Sequence, residues 1–171
     1  MTNWRNDRIG SAMRGANPMV LAHMASGFAV IGDTQFLPGY CVLLASPRVD
    51  RLTDLPLTDR SRFLLDMSVL GEAIEHACAA DGLVRMNYEI LGNTDAYLHA
   101  HVFPRYAWEP PDLLNGPVWQ YSRNHWTDER FQYDDKAYGA VRSRITERLL
   151  HLTKPERRGR SSPDSQVLPG S

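Results

Sequence analysis

Residues Leu91 to Arg105 read LGNTDAYLHAHVFPR. From Tyr97 to Phe103 aromatic or titratable residues alternate with small apolar ones, which is the period of a β-strand with two unlike faces. Tyr97, His99, His101 and Phe103 share one face, while Leu98, Ala100 and Val102 share the other and suit packing on a helix. The strand rise puts the two imidazoles side by side, roughly 7 Å apart at the backbone. Pro104 predicts the end of the strand. Just upstream, Gly92-Asn93-Thr94-Asp95 reads as a turn whose backbone and amide donors could meet an anion.

Outward from this segment the elements alternate. Leu83 to Leu91 predicts the preceding strand. Before it, Thr58 to Ala80 predicts a helix with Thr58 as N-cap, because Phe63, Met67, Leu70, Ile74 and Ala77 recur at helical spacing. Gly82 suits a left-handed cap at its end. Earlier still, Phe28 to Ile31 and Tyr40 to Ala45 are short apolar runs joined through Gly32-Asp33 and Pro38-Gly39, which predicts an antiparallel hairpin. Residues Tyr106 to Tyr133 form a Pro- and aromatic-rich connection holding Trp108, Trp119 and Trp126. A second helix is expected over about Asp134 to Leu150. Strands, helix, strands and helix with short antiparallel links predict an α+β domain. The expected boundaries are an arm over 1–26, the domain over 27–153, and a tail over 154–171 in which KPERRGR is a solvated run.

Composition bounds the function. The chain has 171 residues, 19 Lys+Arg against 20 Asp+Glu and a formal net charge of -1. With 43% hydrophobic and 23% charged residues it is an ordinary globular composition, one domain in size. That balance argues against a dedicated nucleic-acid or membrane-surface binder but says nothing against a small anionic ligand. Cys41 and Cys78 make neither a zinc pattern nor a disulfide framework, which fits a reducing compartment. The first 20 residues lack the apolar core of a signal peptide, and no run approaches the ~18 apolar residues of a bilayer span, so the expectation is a cytoplasmic protein.

Three readings of the His-x-His pair stand side by side. It can be two imidazoles on a polar sheet face with no chemistry. It can be a metal-ligand pair, which needs a third ligand that His23, His76, His125 and His151 are not spaced to suggest. It can be a nucleophile with a helper, since imidazole attacks phosphorus readily and departs readily. The connection's aromatics likewise either cover the sheet or serve a site. Trp108 and Trp119 could stack on a base, and His125 could approach a substrate.

The run GNTDAYLHAHVFPR resembles the histidine-triad motif, with Pro-Arg following as in many bacterial members. FAVIGDTQFLPGYCVLL resembles the first hairpin of the same family, and RYAWEPPDLLNGPVW fits the branch resembling bacterial diadenosine tetraphosphate hydrolases. The resemblance spans about Gly27 to Trp119. It implies a HIT-like antiparallel sheet of about five strands with two main helices. It also implies a nucleotide hydrolase or transferase that cleaves a phosphoanhydride or phosphoramidate at the alpha phosphorus. His99 would form the nucleotidyl-histidine and His101 would assist the leaving group. Asn93 and the adjacent Gly92 would hold phosphate oxygens, and Asp33 would lie near the ribose. The resemblance implies no metal or other cofactor. It further implies a homodimer, for which Tyr88 and Ile90 could form an edge, and a small nucleotide as the partner rather than nucleic acid or membrane.

Two positions depart from the family pattern: Tyr97 replaces the first triad histidine, and Tyr40 stands where many members have a histidine. In the family a backbone carbonyl beside the first histidine bonds the nucleophile's far ring nitrogen, and a tyrosine can supply that carbonyl. The competing reading is a nucleotide-binding module without catalysis.

Overall fold

The structure, a computed structural model, describes residues 3–154. Five strands form one sheet in the order β1-β2-β3-β5-β4, with every neighbouring pair antiparallel. They are β1 (Val20–Met24), β2 (Gly27–Ile31), β3 (Cys41–Ala45), β4 (Leu83–Glu89) and β5 (His99–Tyr106). Two long helices, α2 (Leu57–Cys78) and α5 (Asp135–Leu152), accompany the short α1 (Arg8–Met13), α3 (Pro111–Leu114) and α4 (Arg123–Thr127). The α+β architecture with about five strands and two main helices is therefore the observed one.

Register explains why β5 has two characters. Ala100 lies opposite Leu43 and Val102 opposite Cys41, so these side chains share the face on which α2 packs. Phe63, Leu70 and Ile74 of α2 and Ile145 and Leu149 of α5 are buried beneath that face. His99 lies opposite Leu44 and His101 opposite Val42, so both imidazoles project from the other face. On that side the lining comes from the connection after β5, with Trp119 and Trp126, and from Arg8 of α1.

Several boundaries differ from the sequence expectation. The arm expected over 1–26 is largely structural: Val20–Met24 is an edge strand paired with β2, and Ile9, Ala12, Met19 and Leu21 are buried. The apolar run Met19 to Met24 is short enough to read as helix or strand, and pairing with β2 decides it. The hairpin turn between β1 and β2 is held from across the core, because Asp66 of α2 accepts from the Ser26 backbone N–H and hydroxyl, both at 2.7 Å. Gly27 follows at φ 154°, where a side chain would run into the Leu44 carbonyl.

Thr58 is not the N-cap; α2 begins at Leu57 after Pro56, with no side-chain cap. Gly82 does take the left-handed conformation, φ 82°, at the helix end. Pro104 does not stop β5, which runs on to Tyr106. The ladder to β3 ends at Val102 opposite Cys41, so beyond it β5 is an edge on that side and tolerates a residue without an N–H. Residues 155–171, with most of the expected tail, lie outside the described residues. Among the described residues no helix is long and apolar enough to cross a membrane.

Candidate active site

The face of β5 turned away from α2 forms the base of a cleft of about 650 Å³. His99, His101, Tyr97, Asp33, Gly92 and Asn93, the candidate residues of the sequence, all line it. Val42 and Leu44 of β3 line its base, and Trp119 and Trp126 form one wall.

His99 is buried and its Nδ1 lies 2.7 Å from the Tyr97 carbonyl oxygen. A carbonyl can only accept, so Nδ1 carries a hydrogen, and of the two neutral tautomers this bond selects the one with its lone pair on Nε2. The tautomer follows from the partner. Tyr97 itself precedes β5, and its neighbour Leu98 is tied on both sides: its N–H donates to Val49 O at 2.7 Å and its carbonyl accepts from Ala45 N at 3.1 Å. The carbonyl that orients His99 is thus held by backbone, independent of the Tyr97 ring.

His101 is next along the face, its ring centroid 4.8 Å from that of His99 at an interplanar angle of 75°. Its Nδ1 lies 2.6 Å from the Tyr40 hydroxyl. Burial, and then the neighbouring His99, lowers the His101 pKa to about 3, so the ring is neutral at physiological pH. Burial also raises the Tyr40 phenol, which stays protonated. Tyr40 stacks on Phe103 with centroids 4.2 Å apart and planes 13° from parallel. Gly32 makes room for that ring, because a Cβ at position 32 would collide with it. His101 therefore faces the cleft as an uncharged ring.

The polar end of the cleft also has a different composition than expected. Asp33 is taken by Arg8, whose guanidinium donates to both carboxylate oxygens at 3.1 and 2.5 Å. Arg8, itself a lining residue, comes from α1 in the expected arm. Nothing in the scattered charge of the first residues marks it. Gly92 and Asn93 sit exposed at the rim in a loop outside regular structure.

The connection after β5 folds over the site. Arg105 is 1% exposed and saturated by protein. Its guanidinium donates to Glu109, to Asn87 Oδ1 at 3.0 Å, to Gly116 O at 2.9 Å and to Leu113 O at 2.5 Å. Glu109 also accepts from the Tyr121 hydroxyl at 2.7 Å. This network fixes residues 106–121, which carry Trp119. Trp119 and Trp126 stack, 4.7 Å apart and 8° from parallel, and Trp119 lies edge-on to His101 at 5.2 Å. The Trp119 indole N–H donates to Glu89 on β4. Farther along, Gln35 N donates to Phe131 O at 2.6 Å and Tyr133 N to Asp33 O at 2.7 Å, strapping the connection to the first hairpin.

Trp108 stacks on Tyr106 and His125 packs against Phe131 and Tyr121; neither reaches the cleft. Among the described residues no three His, Cys, Asp or Glu side chains are grouped to hold a metal ion.

A strand bearing two neighbouring imidazoles, one with a carbonyl-fixed tautomer, over a cleft walled by aromatics, describes a site suited to attack on an electrophilic centre. The fold around it is the one seen in histidine-triad proteins. A histidine triad protein from Sinorhizobium meliloti 1021 aligns at 16% identity over 86% of this chain and 96% of that one, with a TM-score of 0.64. A histidine triad protein from Marinobacter aquaeolei VT8 aligns at 22% identity over 78% and 89%, TM-score 0.63. A hypothetical histidine triad nucleotide-binding protein from Sulfolobus tokodaii strain7 aligns at 16% identity over 84% and 91%, TM-score 0.60. No family model and no curated protein matches the sequence.

Proposed function

We propose that this chain is a histidine-triad nucleotide hydrolase or transferase in which His99 attacks the alpha phosphorus of a nucleotide and forms a nucleotidyl-histidine. The observation that carries the reading is the 2.7 Å bond from His99 Nδ1 to the Tyr97 carbonyl. It leaves Nε2 as the only free lone pair of that ring, on the wall of a cleft large enough for a nucleotide. His99 keeps its Nδ1 hydrogen as Nε2 bonds to phosphorus, and the carbonyl stabilises the positive charge that the ring acquires. Water then attacks phosphorus, the P–N bond breaks, the electron pair returns to Nε2, and the proton that the water loses passes to solvent. In this reading His101, the next imidazole along the face, serves the leaving group, and Gly92 and Asn93, which line the rim of the cleft, meet phosphate oxygens.

Tyr97 and Tyr40 in place of histidines favour a second reading, a nucleotide-binding module without turnover. Assay of dinucleoside polyphosphates and nucleoside phosphoramidates separates the two. The hydrolase reading expects turnover that falls on the order of 1,000-fold or more in His99→Ala. The binding-module reading expects nucleotide affinity that survives His99→Ala with no turnover in the parent. We infer a homodimer as well: β4 is an edge strand, and Val84 and Tyr88 on it are exposed. Sedimentation at micromolar concentration tests it, and a monomer contradicts it.

A further inference from the structure

We propose that Tyr40 is a positioning residue that holds His101 as a neutral Nε2–H donor, and that this restricts the site to leaving groups that depart without a proton. The inference rests on the proposed attack by His99.

The assignment follows from donor accounting. Tyr40 is buried, and among the described residues its hydroxyl has one partner, His101 Nδ1 at 2.6 Å. If the hydroxyl accepted from Nδ1–H instead, its own hydrogen would have no acceptor among the described residues, an arrangement disfavoured for a side chain as enclosed as this one. The phenol therefore donates, Nδ1 accepts, and the hydrogen of His101 resides on Nε2.

Among the groups facing His101, the Glu89 carboxylate favours the cation and the neighbouring His99 disfavours it. His101 faces His99 on its own strand and Glu89 directly opposite on β4, and Glu89 is engaged by the Trp119 indole. From the first hairpin it faces Tyr40, beyond which lies Asp33, itself paired with Arg8. Two effects favour the neutral ring: burial and the neighbouring imidazole.

A neutral imidazole N–H stabilises developing charge by hydrogen bonding but is far too weak an acid to surrender its proton. When His99 Nε2 bonds to phosphorus, the bond to the leaving atom breaks and its electron pair stays on that atom. A phosphoanhydride releases a phosphate oxygen that is stable as an anion and needs only the hydrogen bond. A phosphoramidate releases an amine nitrogen that must gain a proton, and His101 held in this way has none to give. The favoured substrates are therefore phosphoanhydrides, with diadenosine tetraphosphate and adenosine 5′-phosphoramidate as the comparison pair.

Nitrogen-15 NMR of the ring-labelled protein, wild type and Tyr40→Phe, tests the assignment without reference to activity. Phenylalanine keeps the stack on Phe103 and removes only the hydroxyl. Wild-type His101 should show one tautomer, hydrogen on Nε2, unchanged from pH 5 to 8, and Tyr40→Phe should show both tautomers. A wild-type Nδ1–H tautomer overturns the inference. In turnover, wild type should favour the anhydride over the phosphoramidate by on the order of 100-fold, the usual size of one general-acid contribution. Tyr40→Phe should narrow that ratio. Equal rates on both substrates in wild type overturn the leaving-group claim. Absence of turnover on both, with the Nε2–H tautomer present, overturns the hydrolase reading and the leaving-group claim but upholds the hydrogen-bond assignment.

Discussion

The Tyr97 carbonyl oxygen and the His99 imidazole are joined at 2.7 Å, so Tyr97 orients that ring through its backbone and, in the proposed reaction, its side chain is not needed for the attack. Removing the phenol should then matter little. Tyr97→Phe is expected to retain kcat within about threefold, a loss of well under 1 kcal/mol in transition-state stabilisation. Steady-state kinetics on the best anhydride substrate checks this.

Arg105 and Glu109 form an ion pair with side chains 1% and 0% exposed. Breaking such a pair leaves one charge buried alone, at a cost of about 3–5 kcal/mol. Arg105→Met and Glu109→Leu should each lose stability on that scale in urea titration, while the double variant should recover much of it. Lys at position 105 lacks the planar fork and should not substitute for Arg.

His101 makes stability depend on pH. The unfolded chain protonates this imidazole near its ordinary value of 6.5, and the folded protein only at about 3, so between these values the unfolded state holds the extra proton. Stability from this group is full above pH 6.5 and is lost as pH falls toward 3, by up to about 1.4 kcal/mol per pH unit. Denaturant midpoints of wild type and His101→Gln should diverge with pH, the variant losing less on acidification.

Much of this was legible in the residues. The alternation around His99 and His101 placed both imidazoles on one face, because a half-buried strand must sort its side chains in twos. The two apolar runs around Pro38-Gly39 likewise read as a hairpin. Arg105 and Arg8 were not legible. Nothing local says that Arg105 is buried against Glu109 while Arg8 reaches the cleft from α1. Those fates are set by contacts between residues 25 positions apart for Arg8 and Asp33, and by the fold of the connection for Arg105. The strand at Val20–Met24 was missed for the same reason, since only pairing with β2 distinguishes it from a short helix.

Arg8 and Asp33 neutralise each other at the polar end of the cleft. Arg8→Met uncovers the carboxylate and should weaken binding of a polyphosphate several-fold at low salt, whereas Asp33→Asn frees the guanidinium and should strengthen it. One unit charge a few ångströms away at the surface is worth on the order of 1 kcal/mol or more, reduced by salt. Calorimetric titration with a slowly hydrolysed dinucleotide at two salt concentrations reads both signs.

Covalent attack by His99 is the central claim, and intact mass spectrometry after rapid acid-free quenching of a turnover mixture tests it most directly. A mass increase of one nucleotidyl group, a nucleoside monophosphate less one water, is expected, mapped by peptide analysis to His99 and missing in His99→Ala. Steady turnover by the parent with no adduct at any time point, or an adduct that persists in His99→Ala, would contradict it.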